Sequence, residues 1–194
     1  MGDSSMPDKV REVYDLLWHD AAMLNAKRVL AQEWFWHAEN MAVLQDAAGD
    51  AIRIVRDSVF HDLVVSIQRL LDPATQGKDE NLCLERLADI IAQDNSEAGD
   101  RLRGRLNSTK AQHAIVTSWR NKRTGHRDLR VALGSNPLAG LSPDDLIAAI
   151  KDINGFLNEA MMVFENSEVV WEPVLDRQAD SIIRLLSQIS TRPS

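Results

Sequence analysis

One short stretch gathers residues that could act together on a phosphodiester. Trp119 to Arg130 reads WRNKRTGHRDLR and holds Arg120, Asn121, His126 and Asp128. Histidine is the side chain that gives and takes protons near neutral pH. His126 could therefore remove a ribose 2′-hydroxyl proton or protonate a leaving 5′-oxygen. Arginine presents a planar fork of donors that matches phosphate. Arg120 could then stabilise charge on a pentacoordinate transition state. Asn121 could orient either group or contact the scissile phosphate. Lys122, Arg123 and Arg127 could hold flanking phosphates. Asp128 could orient a side chain in the site or cap local backbone.

The chain must bend for this to work. Arg120 and His126 are six residues apart, which in a straight helix leaves them about 120° apart in azimuth and ~9 Å apart along the axis. Gly125 precedes the histidine, and glycine is where a helix can end. A break at Thr124-Gly125 would let His126 swing back towards Arg120. Alternatively, two copies of the segment could meet across a two-fold axis. Spacing alone equally fits the mixed-charge end of a surface helix.

Charge sets the same region apart. The chain carries a net −7, which argues against indiscriminate nucleic-acid binding. From Arg101 to Arg130 nine Lys/Arg face one acid, Asp128, so this segment is +8 and the remainder −15. A polyanion would be drawn to one face only. The bland alternative is a helix whose cations pair with acidic neighbours in the fold.

The elements that must position the stretch read as helices. Val10, Val13, Leu17, Ala21 and Leu24 mark a first amphipathic helix over about 8–29, with Pro7 at its start. Trp34, Phe35 and Trp36 are adjacent and cannot all face one core. They would cover a helix junction or a dimer surface, with an aromatic ligand cage as the alternative. Ile52, Val55, Val59, Leu63, Ile67 and Leu70 keep helical period up to Asp72-Pro73, where proline disfavours helix at Asp72. Residues 73–81 read as a polar loop. Asn81 or Asp79 would cap a short helix with Leu84, Leu87 and Ile91 inward. Residues 93–100 read as a second loop. A basic helix then runs from Arg101 towards Arg120, with Leu102, Leu106, His113, Val116 and Trp119 as inward positions. Ser142-Pro143-Asp144-Asp145 is a helix start. Leu146, Ile150, Ile153, Leu157, Ala160 and Phe164 follow on one stripe. A last helix is expected over about 169–190, with Val174, Ile182, Leu185 and Ile189 inward. No strand alternation or repeat is visible. The expectation is one all-α domain over 1–194, a bundle of about six helices.

Other chemistry is set aside. The five histidines show no paired ligand spacing, so no metal site is expected, although His61-Asp62 or His126 with Asp128 could be imagined as ligands. No phosphate loop or nucleophile elbow appears, and no cofactor is expected. Cys83 is the lone cysteine and reads as a packing residue. No apolar run reaches the roughly 20 residues needed to span a bilayer. No signal peptide is read at the start, so a cytoplasmic setting without membrane is expected.

WRNKRTGHRD resembles the signature of the HEPN superfamily (higher eukaryotes and prokaryotes nucleotide-binding), in which an Arg, usually followed by a polar residue such as Asn, is separated from a His by four to six residues. It is most similar to the AbiU-type branch linked to abortive infection. SIQRLLDP, Ser66 to Pro73, and NLCLERL, Asn81 to Leu87, share that likeness, as does the Trp-rich N-terminal hairpin. The likeness spans about Val10 to Arg130. It departs at Thr124-Gly125, where that branch tends to have an aliphatic residue and alanine. The resemblance implies an all-α HEPN-like bundle, a homodimer with facing motifs, and metal-independent RNase activity in phage defence or as a toxin. Arg120 and His126 would be the catalytic pair and Asn121 their support. RNA would be the partner, with an antitoxin in a toxin setting. The alternative it implies is a non-catalytic module binding RNA, nucleotide or a partner protein.

Overall fold

A computed structural model describes residues 6–124, 128–135, 138–165, 167–171 and 181–187. The described chain is mostly helical, and its strands make one short hairpin. Helix α1 (Asp8–Ala31) begins after Pro7 and turns Val10, Leu17, Ala21 and Leu24 fully inward, with Val13 half-buried against them. A π-helical turn (Gln32–Trp36) joins it to α2 (Ala38–Ala48), and Gly49 at φ 55° lets the chain reverse into α3 (Asp50–Leu71). That positive φ suits glycine because it lacks a Cβ.

Helix α3 ends where proline requires it, with Asp72 extended at ψ 159°. Its inward stripe is shorter than the periodicity suggested. Leu63, Ile67 and Leu70 are buried in the main core and Ile52 is buried in a second cluster with Leu44 of α2, but Val55 is 41% exposed. Residues 73–81 are not a plain loop. They form a tiny antiparallel hairpin of β1 (Thr75–Gln76) and β2 (Asp79–Glu80), with Gly77 at φ 66° in its turn.

Helix α4 (Leu84–Asp94) starts at Cys83, whose side chain makes no capping bond. Asn81 instead donates to the Pro73 carbonyl at 2.8 Å and closes the hairpin, so neither Asn81 nor Asp79 is the cap. The loop expected over 93–100 contracts to one residue. Asn95 caps α5 (Ser96–Gln112) by accepting from the Ala98 N–H at 3.0 Å. The polar run had read as loop because only Ala98 and Gly99 of its helical turn face inward. A Cβ on Gly99 would run into Ala92, so glycine here permits close approach of α4 and α5.

The basic helix is not continuous. It breaks at His113 (φ −104°, ψ 26°) into α5 and α6 (Ala114–Trp119), and a second π-helical turn (Arg120–Thr124) follows. Leu102, Leu106, His113 and Val116 are buried as expected, and Trp119 is half-buried. A short α7 (Leu129–Ala132) precedes α8 (Pro143–Met162). The start of α8 is a capping box. The Ser142 hydroxyl accepts from the Asp145 N–H, and the Asp145 carboxylate accepts from the Ser142 N–H.

Leu146, Ile150, Ile153, Phe156, Leu157 and Ala160 of α8 join α1, α3, α4, α5 and α6 in the main core. Inside it, Asn25 of α1 and Asn154 of α8 exchange reciprocal amide bonds of 3.0 and 3.1 Å. Buried amides that satisfy one another avoid the cost of unpaired polar groups. A second cluster joins Leu44, Ile52 and Ile183, with Trp34, Met41 and Leu186 against it.

The last helix differs from expectation. Residues 167–171 are not helical, whereas 181–187 are. Ile183 and Leu186 face inward, while Ile182 and Leu185 are exposed. Val174 and Ile189 lie outside the described residues. No helix among the described residues is long and apolar enough to cross a membrane.

Candidate nucleic-acid interface

The motif begins on the π-helical turn that ends the α5–α6 arm. π-Turns inside helices are often found at functional sites. Arg120 is half-buried there and donates through Nη1 to Asn121 Oδ1 at 3.0 Å. Asn121 therefore touches the arginine it was expected to support. Lys122 is half-buried and Arg123 exposed. The helix stops within the motif, and the Asp128 N–H bonds the Lys122 carbonyl at 3.0 Å. The chain thus returns to the turn it left. His126 and Arg127 lie outside the described residues.

Asp128 resolves one of the two roles left open for it. Its Oδ1 accepts from the Val131 N–H at 3.0 Å and caps α7, so among the described residues it serves backbone.

The basic segment divides into two populations. Arg101 and Arg105 bond Glu159 at 2.9 and 3.1 Å, Arg103 bonds Asp89 and Asp100 at 2.7 and 2.9 Å, and Lys110 bonds Glu85 at 2.7 Å. For these four the bland reading is correct, because their positive charge is met by α4, α5 and α8. Arg120, Lys122 and Arg123 meet no carboxylate among the described residues. Arg123 instead lies over the Trp119 ring, 4.7 Å from its centroid, a cation–π contact that leaves its charge available.

Lys122 and Arg123 border a cavity of about 720 Å³. One side is the end of α6, through Trp119, and the second π-turn, through Lys122 and Arg123, with Asp128 beyond it. The other is the first π-turn, through Phe35 and Trp36, and the floor is α3, through Phe60 and Leu63. Arg56 and His61 of α3 complete the wall. Trp119 is fixed by its indole N–H to the Ala139 carbonyl, 2.7 Å, and by an edge contact with Phe60 at 5.6 Å. Arg120 and Asn121 do not line this space.

Sequence reasoning missed the α3 contribution. Arg56, Phe60 and Leu63 fall at i, i+4 and i+7, one helical face, and this spacing was the available signal. The sequence by itself offers His61 only as an imaginable metal ligand beside Asp62. No cluster of ligand side chains fit for a metal occurs among the described residues.

A helical bundle whose basic arm ends in Arg-Asn-Lys-Arg fits the HEPN-type domain that its motif resembles. The chain belongs to the AbiU2 family, whose model matches residues 7–185. That match reaches beyond Val10 to Arg130 and takes in α8 and most of the helical stretch 181–187, ending at residue 185. No curated protein and no solved structure matches the chain.

Proposed function

We propose that this protein is a metal-independent endoribonuclease of the HEPN type that acts in phage defence or a toxin system. Arg120 and His126 carry the chemistry. His126 takes the proton of the ribose 2′-hydroxyl, the 2′-oxygen attacks phosphorus, and the 5′-oxygen leaves with a proton returned by a histidine. The product ends are a 2′,3′-cyclic phosphate and a 5′-hydroxyl. Arg120 stabilises the charge that builds on the phosphoryl oxygens. Asn121 holds its guanidinium, and Lys122, Arg123 and Arg127 bind flanking phosphates. Two copies of the chain form the working site, so that one histidine serves as base and the other as acid.

The observation that carries this reading is the division of the basic segment. The cations of α5 are neutralised within the fold, whereas those of the Arg120–Thr124 turn are left for an external anion. The return of the chain from Asp128 to Lys122 supports it, because both ends of the segment bearing His126 sit at that turn.

The test is cleavage of labelled bulk tRNA by purified protein in EDTA, beside Arg120→Ala and His126→Ala, with circular dichroism confirming that all three fold. Cleavage by wild type alone, with cyclic phosphate ends, is the expected result. RNA binding retained equally by wild type and His126→Ala, with no cleavage by either, would turn the reading to a non-catalytic binding module.

A further inference from the structure

The cavity between the two π-turns has an aromatic wall that the fold leaves unused. Trp119 is engaged on several sides, by Ala139, Phe60 and Arg123. Trp36 is different. It is half-buried, packs one side on the main core, and lines the cavity with neither a ring partner nor a hydrogen bond among the described residues. Lys122 lines the same cavity, half-buried and without a carboxylate among the described residues. Both acids of the wall are already engaged, Asp57 by Arg56 at 3.0 Å and Asp128 by the α7 backbone. An indole without a ring partner and an ammonium without a carboxylate, both lining one space of about 720 Å³, match a planar ring joined to a phosphate. The size falls within the roughly 300–1,000 Å³ of ordinary ligand sites.

We propose that this cavity seats the base of one unpaired nucleotide of the RNA substrate against Trp36, with its phosphate towards Lys122 and Arg123. The inference rests on the RNA reading above and narrows it. A base held in a duplex cannot enter without unstacking, so the substrate is single-stranded or looped at this point. Stacking on an indole is tolerant of base identity because every base has a π-face. Trp36 is therefore a positioning residue, not a group that touches the reacting atoms.

The experiment measures binding of the full chain to two labelled decamers, oligouridylate and the same ribose-phosphate backbone without bases. Wild type should bind oligouridylate about tenfold or more tighter than the abasic strand, the scale of one stacked base. Trp36→Ala should bring oligouridylate down to the abasic level and leave abasic binding unchanged. Trp36→Phe should restore most of the preference and guards against a folding defect, checked by thermal melting. Lys122→Gln should weaken both strands alike. Wild-type preference persisting in Trp36→Ala, with RNA still bound, would overturn the base seat and leave the ribonuclease reading intact. No binding of either strand by wild type would overturn both.

Discussion

His113 Nε2 donates to Asp152 Oδ2 at 2.7 Å, tying the break between α5 and α6 to the middle of α8. His113 is almost fully buried and Asp152 partly exposed. This bond lies at the break in the basic arm that precedes the Arg120–Thr124 turn. Asp152→Ala would leave a buried imidazole without its partner, which costs roughly 1–3 kcal/mol. Denaturant unfolding should show that loss. His113→Ala combined with Asp152→Ala should cost less than the two separate losses added, since each removes the same bond. Strict additivity would show that the pair does not hold the kink.

The two populations of cations should separate in a salt titration. Replacing Lys122 with Gln should weaken RNA binding and shrink the slope of log affinity against log salt by about 0.7, one phosphate contact to a single strand. Arg103→Gln should leave that slope unchanged. It should cost at most about 1 kcal/mol of stability, through Asp89 and Asp100. Equal slopes for Lys122→Gln and wild type would place the phosphate contacts elsewhere.

Tyr14 is the only tyrosine in the chain, so its ionisation can be followed alone. Burial, reinforced by Asp15 and Glu165, pushes its hydroxyl up to about 12, and the hydroxyl has no partner among the described residues. The unfolded chain releases this proton near pH 10. The folded chain holds it, so stability is intact below about pH 10 and is lost as pH rises through about 12. Tyrosinate absorbance should therefore appear together with loss of helical circular dichroism. A rise near pH 10 in the still-folded protein would mean that Tyr14 is solvated.

The α8 capping box has the opposite sign. Hydrogen bonds from the Ser142 hydroxyl and then its backbone N–H hold the Asp145 carboxyl below the usual range. Its contribution is present above the ordinary carboxylate pKa and is lost as pH falls through the depressed value. Asp145→Asn should lower stability at neutral pH by about 1 kcal/mol and flatten the acid side of the stability profile. An unchanged acid limb would show that the box does not form.

Local rules decided much of this protein from its sequence. The helices of α1 and α8 were legible because their apolar residues repeat with the helix turn and a proline or capping box marks each start. The end of α3 was legible because Pro73 restricts Asp72. The motif itself was legible because residue types alone advertise proton and phosphate chemistry. Charge on Arg101 to Arg130 was also visible, but its meaning was not. Glu159 lies more than fifty residues from Arg101 and Arg105, and Asp89 and Glu85 reach the arm only because α4 packs antiparallel to α5. Which cations remain free is thus a long-range property. The same holds for the cavity, where Trp36, Phe60 and Lys122 meet from three separate elements. It holds as well for the 93–100 segment, where Gly99 lets α5 settle closely on Ala92 of α4. Periodicity reports one element's own faces, and only packing decides what each face meets.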